Sequence, residues 1–496
     1  MYSARQKRSK FEAVVEKIVL NNYYGSDMVQ IYQTIKAEGD KITLSGLFVA
    51  ALLIAHFITA ARAVVILSEP ITLNYTGLSV PIPTGPDWQS TKKWEYYENG
   101  FTLNGVFNAG SASPKVLVSC RYLFSAKKSN ADTQLEQRAS AVAGQIMKTG
   151  QTQTEDAITI DWARIEKPKI PAYMLFGTAQ LPNNRQLELE VQQVASGDNL
   201  AEELFSRISK GLHFQDNQFL NAGSEIVAQI KSEGVSSFLR DCFEKRLQNG
   251  LIPDDQMQQV FLLIKDTKSQ PIGFTMDLLA DYDQQENFNI RATSLFYLRG
   301  QQEQFTSFQS DNSFNEFAWR SETSGLTGRS STEVILDNTG GLTVKKLGPL
   351  PQEKIYQLGP AAIPDVLLEL VFRQMLASGH KEIIVDVIDA EGKISPVLVS
   401  KVEAEQANSA EGKTGYLLRM ELLGRDSLEW IYLDEHARIS KRLLARPNPA
   451  NSALDSQKQQ DAYILERTSP ENILRQFPER AEYISQKNGA LNQPVI

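Results

Sequence analysis

The sequence predicts an α+β protein: a single N-terminal transmembrane helix followed by two exported domains built on antiparallel sheets with packed helices. Three observations predict it. Ile42 to Ala61 form an uncharged, mostly apolar run, which at 1.5 Å per helical residue matches a hydrocarbon core of roughly 30 Å. Beyond it, runs of alternating apolar and polar residues recur between short Gly- and Asp-bearing turns, the pattern of antiparallel strands with one buried face. A few segments interrupt those runs with apolar residues three and four apart, as a helix face requires.

Residues 1–41 read as a cytoplasmic leader with short amphipathic helices. Phe11, Val14, Val15, Ile18 and Val19 fall at helical spacing, and Met28, Ile31, Tyr32 and Ile35 do so again after Gly25. Arg5, Lys7, Arg8 and Lys10 crowd the N-terminus, whereas beyond the apolar run only Arg62 precedes Lys92. Positive charge flanking a span stays cytoplasmic. The expectation is therefore a single-pass helix over 42–67 in a bacterial inner membrane, with the later domains outside. Ala61-Arg62-Ala63 also fits a small-x-small cleavage pattern, and either case exports the bulk of the chain. His56, inside the run, reads as tolerated packing.

Residues 70–214 read as an α+β domain. Pro81 to Pro86 make a turn ahead of Trp88 and Trp94, with strands expected at Phe101–Phe107 and Lys115–Phe124. A helix follows from Asp132 to Met147, carrying Leu135, Ala139, Val142 and Ile146 on one face and stopping at Gly150. Ala157–Ile165, Ala172–Gln180 and Arg185–Val194 are expected strands, the last two joined by Asn183-Asn184. A helix with Leu204, Phe205, Ile208 and Leu212 closes the domain. Cys120 shares a face with Val116, Val118 and Tyr122 and reads as a small buried hydrophobe. Cys242 reads the same way, with a Cys120–Cys242 bridge as the alternative in an oxidising compartment.

Residues 215–256 read as a helical linker, its helix running from Ser224 to Asn249 with a break at Gly234. From 257 to 468 strand follows strand in an antiparallel sheet domain with one covering helix. That helix takes Pro364 in its first turn, presents Ile363, Val366, Leu367, Leu370 and Val371, and is capped at Gly379. Turns are legible at Asp337-Asn338 before Gly340-Gly341, at Asp389 to Gly392, and at Asp434. Residues 469–496 open as a helix with Ser469 as N-cap and Pro470 first, and end in a tail.

The element order of 70–214, with phrases such as Gly85-Pro86-Asp87-Trp88 and Ala201-Glu202-Glu203-Leu204-Phe205, resembles the PsbP-like fold. That resemblance implies a scaffold or assembly role and carries over no site residue. In 257–468, Trp430-Ile431-Tyr432-Leu433-Asp434-Glu435 runs into Arg438-Ile439-Ser440-Lys441-Arg442 beside a single covering helix. This looks like the LolA/LppX type of lipoprotein-carrier domain, which implies a strongly curved sheet cradling an acyl chain against the helix.

Chemistry narrows the function. The net charge is −8 and the first 43 residues carry seven Lys/Arg against five Asp/Glu, so the remainder is distinctly acidic and nucleic acid is not an expected partner. His56, His213, His380 and His436 lack zinc-ligand spacing, and no phosphate-binding or nucleophile-elbow motif occurs. No cofactor, metal or catalytic residue is expected; a buried cluster of perturbed carboxylates would reopen an enzyme. Asp386 and Asp389, three apart in a strand, point to opposite faces, and Asp389 begins a turn. The reading is a non-catalytic binding or assembly scaffold with a protein partner in the envelope. The alternative is a carrier of an acyl chain or lipoprotein, with lipid as ligand. Phe305, Phe308, Phe314, Phe317 and Trp319 are the densest aromatic set and read first as core. For the carrier, the expected groove residues are Phe305, Phe308, Trp319, Leu367, Val371 and Trp430.

Overall fold

The computed structural model describes residues 66–480 apart from 98–99, 108–115, 125–129, 169–171, 195–198, 240–256, 282–287, 327, 349–350, 403–414, 424–426 and 446–462. Two large sheets dominate it. The first comprises β1 (Trp88–Ser90), β2 (Glu95–Tyr97), β3 (Gly100–Phe107), β4 (Val116–Leu123), β5 (Gln145–Gln153), β6 (Thr159–Glu166), β7 (Ala172–Leu181) and β8 (Arg185–Val194). Their order is β1-β3-β4-β8-β7-β6-β5, with β2 paired to β3. Helix α1 (Ala131–Ala141) packs Leu135 and Ala139 on Ala163, Ile165 and Phe176 of one face. Helix α2 (Leu200–Lys210) packs Leu204, Phe205 and Ile208 into the core on the other.

The second sheet has 15 strands. These are β9 (Met257–Lys265), β10 (Pro271–Asp281), β11 (Ile290–Leu298), β12 (Gln302–Ser310), β13 (Phe317–Gly325), β14 (Gly328–Leu336), β15 (Gly341–Leu347), β16 (Gln352–Gln357), β17 (Ala362–Pro364), β18 (Glu382–Ile388), β19 (Ile394–Val402), β20 (Tyr416–Leu422), β21 (Leu428–Leu433), β22 (Ile439–Ala445) and β23 (Tyr463–Arg467). The order runs from β16 down to β9, then β23 down to β17. Every pairing is antiparallel except β17 with β18. Helix α3 (Gln218–Glu233) and helix α4 (Leu368–Ser378) cover Ile383, Val385, Val397, Val399 and Leu418. Helix α5 (Pro470–Gln476) covers the opposite face of β9–β11.

One local device builds many of the hairpins. Asp266, Asp337, Asp389 and Asp434 each accept, through one carboxylate oxygen, the N–H groups two and four residues on. The residue three after each aspartate has positive φ: Ser269, Gly340, Gly392 and Ala437. This is a type I turn closed by a left-handed residue, and it sets the register of the strands it joins. At the β18–β19 hairpin the glycine has a second duty. A Cβ on Gly392 would fall 2.4 Å from a methyl of Val344, so the sheet curls until its distant strands β15 and β19 nearly touch.

The expected class needs correction. Of the described residues 54% are strand and 21% helix, so the protein is mostly sheet rather than α+β with packed helices. The helix expected over Asp132 to Met147 ends early: Ala143 takes φ 51°, and Gln145–Gln153 pairs with β6 instead. The helix expected from Ser224 begins earlier, at Gln218, where Asn217 accepts the N–H groups of Phe219 and Leu220; it breaks at Gly234, as expected, and helix resumes over 235–239. The span between residues 299 and 360 forms strands β12–β16.

The membrane reading is corrected as well. No helix among the described residues is long and apolar enough to cross a membrane, so the single-pass helix over 42–67 and the inner-membrane location are not supported. The last two residues of the expected span, Ile66 and Leu67, pair as a strand with Pro83–Thr84. The remainder of that span and the leader, with their amphipathic helices, His56 and the cleavage site, lie outside the described residues, as does Cys242. Cys120 is buried on the face the alternation predicts, and burial pushes its thiol pKa well up, as suits a packing residue.

Candidate functional site

The curl of the second sheet leaves a cavity of about 610 Å³ between its concave face and α4. Alternation decides which side chains line it. On β9, Val260 and Leu262 face inward, while Phe261 and Leu263 face outward under α5. On β10, Thr275, Asp277 and Leu279 face inward against Phe274 and Met276 outward. Ala292, Ser294 and Phe296 continue the wall on β11, with Gln304 and Thr306 on β12 and Trp319 on β13. Ile431, Arg442 and Leu465 close the other side, and Asp365, Val366, Glu369 and Phe372 come from α4 and the turn before it. Asp389, Ala390 and Glu391 are delivered by the curled hairpin.

Fifteen of the 26 lining residues are apolar, so the wall is mostly greasy with a concentrated polar sector. In that sector Asp277 accepts from the hydroxyls of Ser294 and Thr275. Burial raises the Asp277 pKa; those hydrogen bonds and the charge of Arg442 oppose the rise. Arg442 pairs with both oxygens of Glu429, Nη2 standing 3.1 Å from Oε2. Burial works against its charge, but Glu429, Asp277 and Asp365 together outweigh burial and the Arg442 pKa is raised.

Asp365 is a second perturbed acid of the sector. Its side chain is open to the cavity, yet enclosure by protein raises its pKa to about 7, helped by the nearby Asp389 and Asp277 and opposed by Arg442. The folded protein therefore keeps this proton up to about pH 7, while an unfolded aspartate releases it near 4. Its stabilising contribution is complete below about pH 4 and is lost as pH rises to 7. Asp365→Asn is thus expected to lose less stability than the parent between pH 5 and 8. The difference should be on the order of 1–2 kcal/mol once solvent screening inside an open cavity is allowed for. Urea midpoints of both proteins at the two pH values measure it; parallel pH slopes would refute the assignment.

Two polar atoms at the wall lack partners. The indole Nε1 of Trp319, a residue only 2% exposed, has no acceptor among the described residues, and the hydroxyl of Thr293 has no partner. A buried, unpaired donor costs on the order of 1–3 kcal/mol. Among the described residues no group of three or more His, Cys, Asp or Glu converges as a metal site would require.

Of the six residues expected in a groove, Trp319 lines the cavity. Phe308 shares its face and meets it edge-on, with ring centroids 5.4 Å apart and planes at 77°. Leu367 and Val371 are wholly buried in the core that α4 shares with α3 and β18–β21. Phe305 lies across from Leu295 on the outward face, and Trp430 alternates with the inward Ile431, so both point away from the cavity. The acidic sector went unseen because Asp277, Asp365 and Arg442 are far apart in sequence and share no motif. The one visible signal was a charged residue at an inward position of an otherwise apolar alternation, as Asp277 is between Met276 and Leu278.

No protein-family model and no curated protein matches the chain. Among solved structures, a DUF1089 family protein from Pseudomonas aeruginosa aligns at 11% identity over 38% of this chain and 88% of its own, with a TM-score of 0.18. A tail fiber of Staphylococcus aureus phage P68 aligns at 8% identity over 75% of this chain and 70% of its own, with a TM-score of 0.11. Likenesses this slight carry no argument about fold or function.

Proposed function

We propose that the chain is a non-catalytic binding protein that holds one amphipathic ligand, apolar chain inward, between α4 and the concave face of the long sheet. The observation that carries this reading is the cavity between α4 and the long sheet. Its volume falls in the range of roughly 300–1,000 Å³ typical of ligand sites, and its wall is mostly apolar with a few convergent polar groups. Perturbed carboxylates also occur in enzymes. Here, however, Ser294 donates to Asp277 with no histidine among the cavity-lining residues to activate it, which favours binding over nucleophilic catalysis.

Ala292 is buried at the wall, so Ala292→Trp fills the cavity from a strand centre. Organic extraction and native mass spectrometry of the full chain are expected to find a co-purifying amphiphile in the parent and none in the variant, with the fold retained by circular dichroism. A parent that carries nothing and takes up no added dodecanol would end the reading.

A second reading, an assembly scaffold, is favoured by strand β16. Among the described residues it is hydrogen-bonded on one side only, and Ile355 on it, Leu347 on β15 and Ile335 on β14 stand exposed, an edge suited to strand addition by a protein partner. Crosslinking in native extracts tests it; a partner-free monomer would count against it.

A further inference from the structure

Resting on the assembly reading above, we propose that the partner at the free edge of the long sheet is a second copy of this chain, its β16 paired antiparallel with the first about a twofold axis beside Ile355. The backbone leads there. The Leu358 N–H donates to the Gly340 carbonyl at the start of β15, and antiparallel bonding alternates along a strand. Lys354 and Tyr356, opposite Val344 and Leu342, therefore bond to β15, while the N–H and C=O groups of Glu353, Ile355 and Gln357 point away from it. A twofold copy must meet those residues with its own, and side chains directly opposite must share a face of the sheet. Only registers centred on a single residue satisfy both conditions.

Charge selects one of them. Centring on Glu353 or on Lys354 sets like charges directly opposite each other, which destabilises a strand pair. Centring on Ile355 opposes the two isoleucines, with Glu353 across from the second copy's Gln357 and Lys354 across from its Tyr356. An amide can donate to the carboxylate, and a tyrosine ring attracts an ammonium. Glu353 already faces Lys345 on β15, so a neutral neighbour suits its other side. The strand's ends fix the same register: Pro351 precedes it without an N–H, and past Gln357 the Leu358 carbonyl accepts from Asn184. Ile355, 54% exposed, lies in one row with Thr343 and the exposed Ile335, and the axis joins that row to its mate. The opposite edge of the long sheet cannot pair this way, because Ala362, Ile363 and Pro364 of β17 are buried. Association through this sheet therefore closes at two copies instead of growing into a fibre.

Sedimentation equilibrium of the full chain from low to high micromolar concentration tests the proposal. With only six residues a side, a weak, reversible dimer is expected. Ile355→Lys and Ile355→Glu should each weaken it at least about tenfold. Mixing the two variants should restore a dimer, which a folding defect would not allow. Ile355→Cys should form a disulfide-linked dimer on mild oxidation, since bonded opposite residues stand about 5.5 Å apart between Cα atoms, within a disulfide's reach. Glu353→Cys, offset from its copy along the strands, should not. A bridge through Lys354→Cys in place of Ile355→Cys would overturn the register. A monomer at every concentration, or a dimer indifferent to Ile355→Lys, would overturn the second copy as occupant. In that event, a crosslink from residue 355 to a different protein in native extracts would leave the assembly reading standing, and no crosslink would overturn both.

Discussion

Arg185→Met is expected to cost about 3–5 kcal/mol of stability, the penalty of leaving a buried charge without its partner. Arg185 opens β8 in the first sheet, and its Nη2 donates to Asp386 of β18 in the second at 2.7 Å, with 3% and 2% of the two side chains exposed. Nη1 donates to the Phe124 carbonyl. Burial works against the Arg185 charge, but Asp386 and Tyr122 together outweigh it and the pKa is raised. The variant therefore leaves the buried Asp386 carboxylate between two sheets without its guanidinium partner. Urea unfolding followed by circular dichroism measures the loss. Arg185→Met combined with Asp386→Leu should recover most of it, because a buried ion pair replaced whole by apolar residues is often close to neutral. A single variant that costs less than about 1 kcal/mol would mean that the pair does not brace the sheets together.

The same contact explains why half of this architecture could be read from sequence and half could not. Local rules are written in neighbouring residues. The Asp turns at 337, 389 and 434, the alternation of Leu187, Leu189 and Val191, and the N-cap at Ser469, which accepts from the Asn472 N–H, all follow from spacing alone. Asp386 shows the limit: its alternation placed it opposite Asp389 correctly, but its partner is 201 positions away. Asn183 and Asn184 read as a turn, and both take left-handed φ. The sequence is silent on what that turn touches: Asn184 donates to the Leu358 carbonyl at 2.7 Å and Asn183 to Asn221 at 3.1 Å. The cavity is of this second kind. Its acids come from β10, from the turn before α4 and from the curled hairpin, and only the curvature of a 15-stranded sheet brings them together. Helix lengths failed for a different reason. Val142 and Ile146 continue the helical spacing of α1, but Gly144 and the pairing of β5 with β6 override it, a tertiary effect that periodicity does not register.

Phe477→Ala is expected to cost about 3–5 kcal/mol, as deletions of fully buried aromatic rings do. Phe477 has no exposed surface and ends α5 over the outward face of β9–β11, its ring centroid 5.3 Å from Phe274 and 5.8 Å from Tyr297. The Arg299 guanidinium lies 4.7 Å from the same ring and donates to the Gln476 carbonyl. Arg480 adds an ion pair to Glu303 at 2.8 Å. These exposed or half-exposed charges contribute little alone, so the aromatic anchor carries most of the docking. Removing it frees α5 and uncovers Phe261, Leu263 and Phe274. The consequence extends through the sheet, because the next residues along β9 and β11, Leu262 and Phe296, are cavity wall. Hydrogen exchange should therefore show lost protection in β9–β11 at denaturant concentrations where β18–β20 remain protected, and any bound amphiphile should leave faster. Phe477→Leu, which keeps an apolar plug, should lose about half as much. Unchanged exchange in β9–β11 would show instead that the sheet holds its curvature without α5, and that the cavity's shape is fixed by its own strands and hairpins.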